Sequence, residues 1–202
     1  MKVSVIMPSF LGEYENCATN RVQKFHRAIQ SFLKQKYLDT ELIVISDGCQ
    51  ITINICENDY NSYTNIKLIK VPKQVTFAGI TRQLGINQAS GKVVCFLDTD
   101  DFIGKNHILN IANQFDNNID WVFWDDYVVM LNRLEERETY FQYGHCGTST
   151  IAYRKKLNIS WEDCNGYGHD FKFISQLTNY GKVKKIIGCE YYCCHVPNYT
   201  DV

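Results

Sequence analysis

The sequence predicts one α/β domain with a mostly parallel central sheet and helices on both of its faces. Short apolar runs of strand length alternate with amphipathic helical stretches through the first half of the chain. Turn signals at Asp47-Gly48 and Ser90-Gly91 punctuate them. No low-complexity linker, internal repeat or charge block divides the 202 residues, and a hydrophobic content of 45% suffices for one sizeable core.

Val3–Met7 reads as a strand ending at Pro8. Asn20–Lys36 reads as a helix, because Val22, Phe25, Ile29, Phe32 and Leu33 fall on one face. Leu42–Ser46 is the second strand, followed by a short helix over Ile51–Asp59 and a third strand over Ile66–Val71. A helix from Ile80 to Ala89 then leads to a fourth strand, Val93–Leu97. This repeated β-α-β order calls for parallel pairing. The second half is less regular. Gly104–Phe115 reads as a helix, Trp121–Trp124 and Tyr127–Leu131 as strands, and Thr148–Tyr153 as a short strand. His169–Tyr180 carries Phe171, Ile174, Leu177 and Thr178 in helical register, and Val183–Ile187 and Cys189–His195 close the chain as strands.

Charge excludes more than it assigns. Lys+Arg total 21 against Asp+Glu 22, a formal net charge of −1, with no basic stripe of the kind a nucleic-acid binder carries. The longest apolar runs fall far short of the roughly 18 residues that a membrane-spanning helix needs. No secretory signal pattern opens the chain, so the expectation is a cytoplasmic protein, or one working peripherally at the inner face of a membrane. Nine cysteines, an odd number in a chain of this length, are expected to be reduced thiols. Cys189, Cys193, Cys194 and His195 suit structural zinc poorly, because adjacent strand residues point to opposite faces.

The most informative segment is Val93-Val94-Cys95-Phe96-Leu97-Asp98-Thr99-Asp100-Asp101. A buried strand delivers three carboxylates to its C-terminal end, the edge at which open α/β sheets bind ligands. Crowded carboxylates raise each other's pKa unless a cation neutralises them, and a hard divalent cation bridging to phosphates suits them. Capping of the next helix by Asp100 or Asp101 accounts for the cluster equally well. Other strand ends favour the ligand reading. The first ends in Pro8-Ser9-Phe10 and the second in Ser46-Asp47-Gly48, where a carboxylate precedes a residue free to turn sharply beside a ligand. The Trp121–Trp124 aromatics fit core packing better than a sugar platform.

In their order and spacing these motifs resemble the family-2 inverting glycosyltransferases. The resemblance rests on the opening Val3-Ser4-Val5-Ile6-Met7-Pro8-Ser9-Phe10 and on Ser31-Phe32-Leu33-Lys34-Gln35-Lys36-Tyr37. It continues through Glu41 to Gly48, Gly79 to Arg82, Ala89, Gly91 and Asp98-Thr99-Asp100-Asp101, dense to about residue 115 and sparse beyond. It implies the GT-A type of fold, a Rossmann-like mixed, mostly parallel sheet in a single domain. Residues 1–101 would form the nucleotide-binding half, and 102–202 the half that binds the acceptor and holds the base. It further implies a metal-dependent transfer from a UDP-sugar to a saccharide or glycolipid hydroxyl, commonly in surface polysaccharide assembly.

The resemblance also implies roles. Pro8, Ser9, Phe10 and Asp47 would contact the base, Arg82 the diphosphate or base, and Asp98 the ribose. Asp100 would ligate Mn²⁺ or Mg²⁺, with His195 as a further ligand or an ordinary histidine. Asp170, in Gly166-Tyr167-Gly168-His169-Asp170-Phe171, would be the general base, with Glu162 and Asp163 as runners-up; a helix-start carboxylate is the plainer account. Gly147 and Thr148, in His145-Cys146-Gly147-Thr148, would floor the acceptor pocket or form a simple turn, and His169 would steer the acceptor or shift with pH. The chain departs from the family pattern at His169, where Glu is usual, and at Gln83, where Asn is common. Its link Leu11–Arg21 is longer than usual, either as a lid or as a tolerated insertion. It also stops soon after His195, so a partner subunit, a second copy or a small acceptor is expected. A nucleotidyltransferase and a non-catalytic sugar-nucleotide or glycan-binding module are the competing readings; neither a P-loop nor a Gly-x-Gly-x-x-Gly is present.

Overall fold

β1 (Val3–Ser9), β2 (Thr40–Asp47) and the strand β4 (Val93–Phe96) are buried on both faces, and their alternating side chains build two cores. Val3, Val5, Met7, Leu42, Val44, Val93 and Cys95 face one core, and Ile6, Ile43, Ile45, Val94 and Phe96 the other. A computed structural model describes residues 1–74, 77–115, 118–164, 166 and 168–202. Tyr167, part of the Gly-rich turn before Asp170, lies outside them.

Helix α1 (Arg21–Leu33) covers the first core with Phe25, Ile29 and Phe32. α2 (Gln50–Asp59) and the short α4 (His107–Ala112) complete that layer. α3 (Gly79–Gln88) and α5 (His169–Ser175) cover the second core with Ile86, Phe173 and Ile174. Each such fully buried side chain contributes roughly 1.5–3 kcal/mol. The expected helices on both faces are therefore present. α3 lies so close that a Cβ at Gly85 would stand 2.5 Å from Ile45 Cδ1 and 2.7 Å from Ile6 Cγ2.

The main sheet has seven strands in the order β10-β6-β9-β4-β1-β2-β3, with β3 at Ile66–Val71, β6 at Trp121–Phe123, β9 at Ile151–Arg154 and β10 at Val183–Lys185. β3, β2, β1 and β4 run parallel, and β9 lies antiparallel between β4 and β6. The parallel register brings Ser9 opposite Ser46 and Asp47 opposite Val71, so four strands deliver their C-terminal ends to one edge. A second sheet, β5-β11-β7-β8, packs at that edge, from Phe102–Ile103, Tyr191–Cys193, Asp126–Met130 and Arg133–Arg137. A final hairpin joins β12 (His195–Val196) to β13 (Thr200–Asp201).

Several expected boundaries move, each for a local reason. β1 continues through Pro8 because that position shares the parity of Ile6, the last β1 residue paired with β4, so the missing N–H has no ladder partner to disappoint. The helix expected from Gly104 starts at His107, since Gly104 donates its N–H to the Glu190 carbonyl and accepts from Gln35 Nε2. Thr148–Thr150 is a 3-10 turn rather than strand, with Thr150 Oγ1 donating to the Gly147 carbonyl. The strand expected over Cys189–His195 breaks where Cys194 turns its N–H to Asp101 Oδ1. α5 stops at Ser175 and passes into a 3-10 turn, Gln176–Asn179. Trp121 and Trp124 are buried, as core packing requires.

Two buried charges tie distant segments together. Glu41 accepts from Ser4 Oγ at 2.6 Å and from Ser90 N and Oγ at 2.6 and 2.8 Å, with Lys2 Nζ at 3.2 Å. Burial alone would push its carboxyl up, but these hydrogen bonds outweigh it and hold the pKa at about 2. Lys24 on α1, 4% exposed, pairs with Asp201, which also accepts from Thr19 N. Those bonds likewise overcome burial and hold Asp201 at about 2.

Because the folded pKa of Glu41 lies below the unfolded value of 4.5, its stabilisation is complete above that pH and is lost as pH falls towards 2. The full effect is roughly 3 kcal/mol. Urea unfolding at stepped pH should show a decline across this window, and Glu41→Gln should remove its share while leaving that of Asp201.

Candidate active site

The C-terminal strand ends, the 10–20 segment and α3 enclose a cleft of about 660 Å³. Pro8, Ser9 and Phe10 reach it from β1, Asp47 from β2, Arg82 from α3, and Asp98 and Asp100 from the turn after β4. Seven residues singled out in the sequence for donor and metal thus share one wall system. Ser9 contributes shape more than polarity, because its hydroxyl shares a 2.8 Å hydrogen bond with Thr52.

The three carboxylates after β4 have separate environments. Asp101 turns inward, accepting from Tyr191 OH at 2.9 Å and from Cys194 N at 2.8 Å, and burial pushes its carboxyl well up. Tyr191 OH also accepts from Asp98 N at 3.1 Å, so β11 holds the whole turn. Asp98 points the other way, 2.9 Å from Arg82 Nη2. Asp100 faces the cleft, and Arg27 donates to its carbonyl at 2.7 Å. Burial raises the Asp100 carboxyl and Asp98 adds to the effect, with His195 and Arg21 opposing. A carboxylate so raised, with its neighbours already engaged, fits a hard divalent cation that also takes phosphate oxygens. Among the described residues no group of three such ligands stands ready-made.

Arg82 is the cation that organises this region. Its side chain is only 6% exposed, its Nη2 meets Asp98, and its Nη1 stands 3.5 Å from Asp170 Oδ1. Its guanidinium also lies 5.4 Å from the Trp161 ring. Burial disfavours its charge, but the two aspartates outweigh that and hold its pKa above the ordinary arginine value.

Asp170 sits in the first turn of α5 and lines a neighbouring cavity of about 320 Å³ with Phe77, Tyr143, Cys146, His169 and Phe171. His169 Nε2 stands 3.2 Å from Asp170 Oδ1, and among the described residues that oxygen accepts no hydrogen bond. A Cβ at Gly147 would stand 3.9 Å from Asp170 Oδ2, so Gly147 borders the carboxylate, and Thr148 follows it into the buried turn. Glu162 and Asp163 are exposed. His195 lines a different cavity, with Nε2 2.9 Å from the Asn16 carbonyl and Nδ1 3.7 Å from Asp201.

Sequence reasoning missed Lys73, Gln74, Phe77, Tyr14 and Arg21, all of which line the large cleft. Lys73 and Gln74 follow the third parallel strand, whose C-terminal end had the same claim to the ligand edge as the other three. Tyr14 and Arg21 belong to the lengthened link, which therefore forms part of the cleft wall. Gln83 accepts from Trp161 N at 3.0 Å and so holds the loop behind Arg82.

The family model of glycosyl transferase family 2 matches residues 16–176. The chain belongs to that family. Over 127 residues it is 33% identical to the poly(ribitol-phosphate) beta-N-acetylglucosaminyltransferase TarP of Staphylococcus aureus (strain N315), covering 60% of this family-2 chain and 35% of that protein. Over 133 residues it is 29% identical to the UDP-Glc:alpha-D-GlcNAc-diphosphoundecaprenol beta-1,3-glucosyltransferase WfgD of Escherichia coli, covering 65% and 48%. The crystal structure of S. aureus TarS 1-349 superposes with a TM-score of 0.75 at 21% identity, covering 96% of this chain and 60% of that one. TarS 1-349 is also solved in complexes with UDP and with UDP-GlcNAc. The fold is thus the GT-A fold of TarS. The family-2 chain spans roughly a third to a half of the length of these two curated relatives. Among its described residues no helix is long and apolar enough to cross a membrane.

Arg82→Met should leave Asp98 and Asp170 facing each other without their shared cation. Both carboxylates are about a third exposed, so the cost falls below the roughly 3 to 5 kcal/mol of a fully buried pair, and the midpoint of thermal or urea unfolding should fall measurably. An Arg82→Met protein as stable as the original would show that the guanidinium is not the organising charge.

Proposed function

We propose that this family-2 chain is an inverting glycosyltransferase that moves a sugar from a UDP-sugar to a saccharide or glycolipid hydroxyl. One observation carries the reading: the large cleft and the Asp170 cavity adjoin, sharing Phe77 as lining and joined by the Arg82 bridge from Asp98 to Asp170. A nucleotide-filled cleft would present its sugar next to the Asp170 carboxylate. The UDP and UDP-GlcNAc complexes of the structural neighbour TarS support a uridine donor.

In this reading the nucleoside diphosphate occupies the cleft, its base beside Phe10 and Asp47 and its ribose near Asp98. Asp100 would hold Mn²⁺ or Mg²⁺, with His195, whose Nε2 now lies 2.9 Å from the Asn16 carbonyl, as a further candidate ligand. The bound cation supplies neutralisation of the charge that develops on the leaving diphosphate. Asp170 accepts the proton of the acceptor hydroxyl as that oxygen bonds to the anomeric carbon. The bond to the diphosphate breaks on the opposite face, and the electron pair leaves with UDP. Gly147 leaves room beside Asp170, and Phe77, Tyr143 and Phe171 offer apolar surface for the acceptor ring.

General-base assistance is worth about 10²–10⁴-fold in rate. Asp170→Asn should therefore lower turnover with a UDP-sugar at least about a hundredfold while leaving UDP binding intact. Asp100→Ala should abolish the metal dependence of UDP binding, read by calorimetry with and without Mn²⁺. Near-normal turnover by Asp170→Asn would overturn the base assignment. UDP binding without turnover on any acceptor would favour the binding-module reading.

A further inference from the structure

His169 lies against the Asp170 carboxylate, and its ring carries a basic nitrogen that the transfer step leaves unused. It opens α5 directly after Gly168, whose φ is +81°. Its ring centre stands 5.0 Å from that of Phe77 and 5.8 Å from that of Trp161. The imidazole is therefore clamped between a wall of the large cleft and the second core, with 18% of the side chain exposed.

The two ring nitrogens have different neighbours. Nδ1 stands 3.2 Å from the Gly166 carbonyl. A carbonyl oxygen only accepts, so that contact places a proton on Nδ1. The neutral ring then carries its lone pair on Nε2, 3.2 Å from Asp170 Oδ1. An ionised carboxylate also offers only lone pairs, so the unprotonated pair sets one lone pair against another, and a proton taken up between them relieves the contact. The two groups do not yet form a hydrogen bond, and a rotation of the carboxyl about its Cβ–Cγ bond aligns them.

The surroundings give the imidazole a task. Arg82 Nη1, from α3, stands 3.5 Å from the same Oδ1 and favours the ionised carboxylate, so a proton taken by Asp170 is held poorly there. An imidazole holds a proton more firmly than a carboxylate does. The other titratable groups lining this cavity are the Tyr143 phenol and the Cys146 thiol, the latter pushed up to about 11 by burial and by Asp170. Glu162 and Asp163, beside Trp161, and Lys172, three residues along α5, are exposed. His169 is thus a neutral base within reach of the carboxylate.

We propose that His169 is the second stage of the base, and that the proton Asp170 takes from the acceptor hydroxyl comes to rest on His169 Nε2. The acceptor O–H bond breaks as that oxygen bonds to the anomeric carbon, and the bond to the diphosphate breaks with its electron pair leaving on UDP. The proton passes to the carboxylate and, as the carboxyl rotates, to Nε2, which leaves an imidazolium beside a restored carboxylate. Loss of that proton to water readies the pair for the next turnover. His169 acts through Asp170 and touches no substrate. The proposal rests on the transfer reading and deepens it, because it adds a second proton site behind the first.

UDP release from UDP-GlcNAc, with water or a panel of saccharides as acceptor, tests it across pH in the original protein, His169→Gln and His169→Ala. The original should slow as pH falls through the range in which histidines titrate, roughly pH 8 to 5, because an imidazolium cannot take the proton. His169→Gln, whose amide keeps the packing on Phe77 and Trp161, should lower kcat about tenfold with KM unchanged and lose that pH dependence. Free imidazole should restore part of the rate to His169→Ala and none to Asp170→Asn. A His169→Gln protein with the kcat and pH profile of the original would overturn the relay alone. Absence of UDP release by the original protein with every acceptor would overturn the transfer reading and the relay with it.

Discussion

Burying a guanidinium is unfavourable unless its charge is met on more than one side, and Arg82 is met on two. Asp98 belongs to the turn after the fourth parallel strand, and Asp170 to the first turn of a helix seventy residues further on, roughly the reach of half the domain. Among the described residues no backbone hydrogen bond joins those two segments. The cation between them fixes the distance from the large cleft to the carboxylate in the next cavity. Trp161 closes off the guanidinium, and Gln83, one position along α3, holds Trp161 by its N–H. The site is thus assembled around one charge, and its packing serves to keep water from that charge.

The same economy governs the three aspartates after β4. They share one short turn, yet each meets a different neighbour: Tyr191 and the Cys194 N–H for Asp101, Arg82 for Asp98, the open cleft for Asp100. Asp101 anchors the turn to the smaller sheet, which frees the other two to face outward. Carboxylates left together would repel one another, so their separation into anchor, bridge and cleft-facing group is what makes so acidic a turn tolerable.

The parallel half of the fold was legible because burial on both faces forces near-continuous apolar runs, and β1, β2 and β4 show them. Asp47, Asp98 and Asp100 were legible as cleft-wall residues for a related reason, since parallel strands send their C-terminal ends to one edge, whereas Arg82, on α3, was singled out only through the family resemblance. The second half was harder. β8, Arg133–Arg137, is exposed along its whole length and is a strand only through pairing with β7, so its composition carries no period. β5 and β13 have two residues each, too few to leave a pattern. Lys73 escaped notice because a lone lysine at a strand end is ordinary in sequence, and only the fold brings it to Asp47 and Phe10. The place of His195 was no more readable, since it depends on where the 10–20 segment folds.

The pairing of Lys24 with Asp201 links positions 177 residues apart. During synthesis the strands β1 to β4 can begin to pair while much of the chain is still unmade. Lys24 cannot settle then, because a buried ammonium without its carboxylate is costly. The segment from Phe10 to Arg21, anchored through Thr19 to the same Asp201, waits with it. One wall of the cleft is therefore completed by a residue made 177 positions after Lys24, and a nascent chain stalled short of it would hold its parallel strands but not a finished pocket.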